Sequence, residues 1–345
     1  MIVNQWVPAA HKGDAIGDSA RRVRGLLRNM GHQSDLFALT IDEDLQDDVR
    51  PFADPAAGRG DLTIFHYALP SPMTEAFARL SHGRVLQYHN VTPAHFFAPY
   101  HAGVFRLAQL GRAELGTLAG RTDVALGDSE YNRAELETLG FTNTGVFPIA
   151  IDVERITKAP RRPALEKVLT DGPLNFLFVG RIVPNKKIED HIKLAEVYKR
   201  YVDVNYRFIF VGKTDGMPRY YNMVRALIAE YQMPADRFWF TGPVPDEDLA
   251  AYYRTASVTS RSRSMKASVC RCSRRWPPTC PCWPMPQRRS PIRSAALACS
   301  SIRRISRWLP NFSASSHTTR RCARASSPAS ASGCKTSATA GSARS

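Results

Sequence analysis

The stretch NFLFVGRIVPNKKIED, Asn175 to Asp190, decides the fold. It opens on an apolar run, Phe176-Leu177-Phe178-Val179, which predicts a parallel strand buried on both faces. Gly180 ends the run, Arg181, Lys186 and Lys187 follow in a loop, and a helical pattern starts near Ile188. A cationic loop between a strand end and a helix start suits an anion, because free N–H groups and the helix dipole add to the side-chain charge. Arg181 and Lys186, two cations five residues apart in sequence, suit a diphosphate better than a single carboxylate. Solvated surface lysines would give the same pattern, so spacing alone leaves both readings of Lys186 and Lys187 open.

The same alternation continues on both sides. Towards the C-terminus, Ile188–Tyr201 predicts a helix with Ile192, Leu194, Val197 and Tyr198 inward. Tyr206–Val211 predicts a strand, Arg219–Tyr231 a helix, Phe238–Thr241 a strand, and Glu247–Tyr253 the start of another helix. Towards the N-terminus, the charged, proline-containing segment from Thr157 to Gly172 reads as a linker. Before it, Met1–Val7 is a short apolar opening, followed by a polar loop holding Gly13, Asp14, Gly17 and Asp18. A helix with Ala20, Val23, Leu26, Leu27 and Met30 on one face comes next, capped by Asp18 or Ser19 and stopped by Gly31. Asp35–Leu39 then completes one βαβ unit.

The glycine loop GDAIGD, Gly13–Asp18, is too sparse to be a dinucleotide fingerprint and says little about a ligand by itself. Asp61–Tyr67 and Arg84–His89 are further strands, and they carry His66 and His89 at their carboxyl ends. Ligands of open α/β sheets bind beyond those ends, which favours function for such a histidine. A structural histidine hydrogen-bonded to a loop fits either position as well. Phe105–Leu118 is helical, Asp123–Leu126 is a strand, and Asp128-Ser129 caps a helix that Gly140 ends. Two blocks of alternating strands and helices imply two Rossmann-like, doubly wound α/β domains facing a cleft.

Charge and cysteine usage divide the chain at a different place. The net charge of +16 would suggest nucleic acid or a membrane surface. From Thr259 to Ser345, however, there are 15 Arg and 2 Lys with no acidic residue, leaving 30 basic against 31 acidic residues before them. All seven cysteines (Cys270, Cys272, Cys280, Cys282, Cys299, Cys322 and Cys334) lie in that basic tail too. The Cys270-x-Cys272 and Cys280-x-Cys282 pairs lack the usual zinc spacing, and no other metal-ligand spacing occurs. The first 258 residues are near-neutral and cysteine-free, with no membrane-length apolar run and no signal-type segment. A cytoplasmic location is expected.

Several stretches together resemble retaining, group 1 glycosyltransferases of the GT-B fold. GRIVPNKK, from Gly180, resembles their glycine-arginine-x-x-x-x-lysine loop. FTGPVPDEDLAAYYRTAS, from Phe240, resembles the turn and helix that follow it there. GDSEYNRAELETLGF and VFPIAIDVERI resemble the end of the first domain, with Pro148 and Asp152 at the family's proline and aspartate. The resemblance covers residues 1 to about 258. It implies an acceptor domain over 1–150, a linker over 151–172, and a partial donor domain over 173–258, so that the second domain is incomplete. It implies a nucleotide-sugar co-substrate, no metal or other cofactor, and a glycan or lipid-linked acceptor. It further implies a hexosyltransferase-like reaction and a cytoplasmic enzyme that can work at the inner face of a membrane. By this resemblance Arg181 and Lys186 bind the donor diphosphate, Gly13 and Gly17 lie in the first-domain loop near the phosphates, and His89 is the catalytic-site histidine near the donor sugar.

The departure comes after Val258. The family carries two glutamates separated by seven residues, in a run like EGFGLPxxEAM, whereas nothing after Val258 here is acidic. The genetic code offers a reason. Taking the third base of each codon with the first two of the next, Met265-Lys266 reads as glutamate, and Trp276-Pro277 and Met285-Pro286 as alanine, with no other choice. Permitted codons from Met265 through Pro286 complete the string EGFCVPLLEAMAADVPVLAYA. A base lost near codon 258 therefore accounts both for the missing motif and for an acid-free, Arg-, Ser- and Pro-rich tail over 259–345. Such a tail is expected to lack a packed core, and loss of the last donor-domain elements is expected to leave apolar surface uncovered around Phe178, Phe210 and Phe240. Two other functions remain open: a non-catalytic nucleotide-sugar-binding remnant, and a nucleic-acid binder acting through the basic tail. The resemblance implies no nucleic-acid partner.

Overall fold

The computed structural model describes residues 1–259, so the readings of the tail beyond them, zinc spacing included, lie outside the described residues. Two parallel sheets organise what is described. The first has seven strands: β1 (Val3–Ala10), β2 (Leu36–Ile41), β3 (Arg50–Pro51), β4 (Leu62–Tyr67), β5 (Gly83–Tyr88), β6 (Val124–Gly127) and β7 (Thr144–Val146). Their order is β3-β2-β1-β4-β5-β6-β7, the doubly wound arrangement, with the order reversing beside β1. Helices α1 (Ala15–Asn29), α2 (Pro72–Ala78), α3 (Ala102–Thr117) and α4 (Glu130–Thr138) connect them.

The second sheet has four described strands in the order β10-β9-β8-β11. These are β8 (Leu174–Val179), β9 (Tyr206–Val211), β10 (Phe238–Gly242) and β11 (Val258–Thr259), with α7 (Ile188–Tyr201), α8 (Pro218–Glu230) and α9 (Asp246–Thr255) between them. Alternate aromatic residues fall opposite one another in register. Phe176 pairs with Phe208 and Phe208 with Phe238, their rings stacked at centroid distances of 4.5 and 5.9 Å. Cross-strand aromatic pairs of this kind add about 0.5–1.5 kcal/mol each beyond the area they bury.

Four details differ from what the sequence suggests. Helix α1 starts at Ala15, a turn earlier than expected, and its cap is Asp14 rather than Asp18 or Ser19. The Asp14 carboxylate accepts from the Ile16 and Gly17 N–H groups, both at 3.1 Å. Asp18 is left to pair with Arg21, and Ser19 is left to accept from the Ala150 N–H at 2.9 Å. Secondly, Leu194 and Val197 are 43% and 53% exposed; the inward face of α7 is Ile188, His191, Ile192 and Ala195. Tyr198 only flanks that face, packing on Phe176. The inward stripe is set by which side chains meet β8 and β9, and a run with apolar residues on two faces does not specify it.

Thirdly, the stretch read as a linker folds into two helices, α5 (Val153–Thr157) and α6 (Pro163–Thr170). Helix α6 buries Leu169 against α9, and Arg254 of α9 reaches Glu166 at 3.2 Å. Fourthly, Phe178 and Phe210 are buried rather than uncovered. Phe178 packs on His191 at 5.3 Å and Phe210 on Phe240 at 4.8 Å, and α7 and α8 close over that face. Phe240 stays half-buried.

Contacts also tie the two sheets' halves together. Arg155 reaches Asp18 of α1 at 3.2 Å and Asp246 of α9 at 3.1 Å. The Tyr100 and Tyr220 rings meet edge-on at 5.1 Å. Among the described residues, no helix is long and apolar enough to cross a membrane.

Candidate functional site

Three strands of the second sheet end in glycines with positive φ: Gly180 at +153°, Gly212 at +142° and Gly242 at +71°. At Gly212 the reason is close approach. A Cβ there would sit 2.3 Å from the Gly180 carbonyl oxygen, a distance no side chain tolerates. The strand ends are stitched by Gly180 N–H donating to Val211 O at 2.8 Å and Gly212 N–H to Gly242 O at 2.9 Å. Ile182 N–H donates to Lys213 O at 2.9 Å, which continues the stitching past the strands.

Arg181 and Lys186 both lie exposed on the loop leaving this edge, between β8 and α7. Lys187 takes the left-handed conformation, φ +48°, where the loop turns into the helix. The helix start is less open to an anion than a free N-terminus. The Tyr220 hydroxyl accepts from the Ile188 N–H at 2.7 Å and donates to the Glu189 carboxylate. Burial and the Glu189 charge push the Tyr220 hydroxyl's pKa far up, so it stays a neutral cap. The charge available to an anion here is therefore that of the side chains more than of the helix dipole.

The first half meets this edge through the loop after β5, and a second loop follows β1. Asn90, at φ +66°, opens the loop after β5, and Asn185 donates from Nδ2 to the Thr92 hydroxyl at 3.3 Å. This hydrogen bond joins the loop after His89 to the Arg181–Lys187 loop. The other loop holds Gly13, φ +75°, between β1 and α1. Asp42, beyond β2, pins it by accepting from the Lys12 N–H at 2.9 Å and the His11 Nδ1 at 2.7 Å. Those hydrogen bonds, the Lys12 N–H foremost, hold the Asp42 carboxyl below the usual carboxylate range. Gly17 belongs instead to the first turn of α1, where a Cβ would meet ordinary contacts at 3.8 and 3.9 Å.

His89 lies in a line of buried polar side chains that runs from Gln5 to Asp128 across four adjacent strands. Gln5 of β1 donates from Nε2 to Ala20 O at 3.0 Å, which turns its Oε1 towards His66 Nε2, also at 3.0 Å. His66 Nδ1 lies 2.9 Å from His89 Nε2. His89 Nδ1 lies 3.0 Å from one oxygen of Asp128 and 3.1 Å from the other. The protons can be counted along the line. The Ala20 carbonyl can only accept, so Gln5 Oε1 must accept from a proton on His66 Nε2. Burial keeps His66 neutral by pushing its pKa well below the ordinary value. Its Nδ1 then accepts from a proton on His89 Nε2, and His89 Nδ1 faces the Asp128 carboxylate. Both His89 ring nitrogens are thus engaged within the protein, and its side chain is 1% exposed, as is that of Asp128.

Arg181 and Lys186 accordingly share one loop, a hydrogen bond joins that loop to the one after His89, and Gly17 lies in the first turn of α1. Gln5 and Lys213 are not singled out by the sequence, whereas His66 is marked there as a strand-end histidine and Asp128 as a helix cap. The sequence suggests that Asp128 caps α4 with Ser129; the Ser129 hydroxyl does so alone, accepting from Asn132 N–H at 3.4 Å, and Asp128 turns to His89. Among the described residues, no group of three or more His, Cys, Asp or Glu side chains is placed to hold a metal ion.

Residues 164–264 match the family described as Glycosyl transferases group 1. No curated protein sequence matches the chain significantly. Among solved structures, Anabaena HepE in complex with UDP-glucose superposes with a TM-score of 0.58 at 14% identity, covering 86% of this chain and 78% of that one. WaaG, a glycosyltransferase involved in lipopolysaccharide biosynthesis, superposes with a TM-score of 0.57 at 11% identity, covering 77% of this chain and 76% of that one. Sucrose-phosphate synthase from Thermosynechococcus elongatus gives 0.52 at 17% identity, covering 75% and 74%. Two parallel doubly wound sheets, the second with glycine-ended strands and a cationic loop after β8, together with these likenesses, identify the chain as a GT-B-fold protein whose residues 164–264 match the group 1 glycosyl transferases.

Proposed function

We propose that this chain is the sugar-transferring machinery of a retaining glycosyltransferase, with a nucleotide-sugar as donor and a glycan or glycolipid as acceptor. The observation that carries the reading is the placement of Arg181 and Lys186. They stand on one exposed loop at the carboxyl edge of the second sheet, inside the segment that matches the family. Departure of a nucleoside diphosphate develops negative charge, and cations already in place stabilise that charge most in the transition state. The diphosphate charge is met by side chains in this scheme, so no metal is assigned to it. The first half, with its loops after β1 and β5, holds the acceptor. His89 acts there through the buried line rather than by direct contact, keeping the β5 loop positioned against the donor. A cytoplasmic location with peripheral contact at a membrane's inner face fits a glycolipid acceptor.

The remaining donor-site residues belong to the shifted frame. The family match reaches only residue 264, six residues past Val258, and the two glutamates are spelled in the shifted frame beyond that point. The chain as written thus favours a second reading for this form alone: a protein that binds the donor without turning it over, because both glutamates are missing. Calorimetric titration of UDP and UDP-glucose, the latter the molecule in complex with HepE, tests the binding half. Saturable binding of at least one nucleoside diphosphate or its sugar is expected, weaker than in a complete donor site. Absence of binding across uridine, guanosine and adenosine diphosphates and their sugars would end the proposal.

A further inference from the structure

Lys213 is a cation at this edge that the family loop does not include. It follows Gly212 at the end of β9, and its side chain is exposed. Its carbonyl accepts from the Ile182 N–H at 2.9 Å, and the Gly212 and Gly180 backbones touch so closely that no Cβ fits between them. The loops carrying Lys213 and Arg181 are therefore in backbone contact, side by side at two adjacent strand ends. Among the described residues, neither Arg181 nor Lys213 has an acidic side chain within ion-pair distance. A dianion bound at these two strand ends would interact with both charges. Lys213 also faces the first half: its charge reaches Asp42, the residue that pins the Gly13 loop, where it adds a smaller effect to the Lys12 and His11 hydrogen bonds.

We infer that Lys213 is a third donor-phosphate residue, which closes over the diphosphate from the β9 side, opposite the Gly13 loop. The inference rests on the proposed function, because it takes Arg181 and Lys186 as the other two cations. Lysine suits this role, because a point charge on a flexible four-carbon stem can move between the Asp42 side and a phosphate oxygen. A side chain at this position is specific for phosphate charge. It has no bearing on recognition of the base or ribose, and that difference makes the idea testable.

The experiment is a set of binding titrations on the full chain with UDP and with uridine, for the unchanged protein, Lys213→Met, Lys213→Arg and Arg181→Ala. Lys213→Met is expected to weaken UDP at least about fivefold, in line with loss of one charge-assisted hydrogen bond. Uridine binding should not change, and Lys213→Arg should recover most of the UDP affinity. If Lys213→Met leaves UDP affinity intact while Arg181→Ala lowers it, the role of Lys213 is overturned and the phosphate site stands. If neither substitution changes UDP affinity, the phosphate site itself is misplaced. Equal weakening of UDP and uridine by Lys213→Met would show a structural effect and would also overturn the inference. Circular dichroism on each variant confirms that the fold is retained.

Discussion

Arg181→Ala, made in a gene with the reading frame restored after codon 258, is expected to lower kcat/KM about a hundredfold or more with the fold intact. Losing one preorganised charge or donor aimed at developing negative charge commonly costs on the order of 3 kcal/mol of transition-state stabilisation. The fold should survive because Arg181 is exposed and its loop is held by backbone hydrogen bonds at Gly180 and Ile182. Lys186→Ala should behave alike, and the double variant should lose less than the two losses combined, since both cations act on one group. Steady-state kinetics with donor varied at saturating acceptor reads the effect. A loss smaller than about threefold for Arg181→Ala, well under the usual loss for such a donor, would place the diphosphate elsewhere.

The second large effect is on stability. Asp128→Ala should destabilise the chain by about 3–5 kcal/mol, the usual cost of leaving a buried charged or hydrogen-bonding partner unmatched. The proton count explains why the line does not simply rearrange. Gln5 is fixed by Ala20, His66 by Gln5, and His89 Nε2 by His66, so His89 Nδ1 has only Asp128 to face. Urea unfolding of Asp128→Ala beside the unchanged chain measures the difference. A loss below about 1 kcal/mol, the range of exposed pairs, would show that His89 finds another partner or water.

The central stretch was legible because several local signals agreed. An apolar run, a strand-ending glycine, two cations and a helical pattern follow one another from Phe176 to Ile188, and the structure places strand, loop and helix there. The alternation of strands and helices pointed to two doubly wound sheets, and the order of the strands within each comes from the structure. What stayed hidden depends on packing across elements. Whether Asp14 or Asp18 caps α1 is decided by which carboxylate the chain brings to the Gly17 N–H, and Gly13–Asp18 offers two aspartates. Which face of α7 turns inward is decided by β8 and β9, with Leu194 and Val197 losing to His191 and Ala195. The line from Gln5 to Asp128 joins residues more than 120 positions apart through four strands, and the sequence marks only His66 and His89 in it, as strand-end histidines. Lys213 escapes for a simpler reason: it sits where a glycine-ended strand meets a loop, and only the contact of Gly212 with Gly180 brings it beside Arg181.

On the proposed function, residues 1–259 hold the donor-phosphate and first-half machinery of a sugar transferase whose remaining donor residues are written one base out of frame. It is tested most directly by comparing nucleotide-sugar turnover by two proteins: the chain as written, and the product of the same gene with one base restored near codon 258. Release of nucleoside diphosphate, followed over a panel of nucleotide-sugars with and without added glycan and glycolipid acceptors, is the measurement. The restored protein should release nucleoside diphosphate from at least one donor, and the chain as written should release none above background from that donor. Equal turnover by the two, or none by the restored protein with any donor, would rule out the shifted-frame donor site.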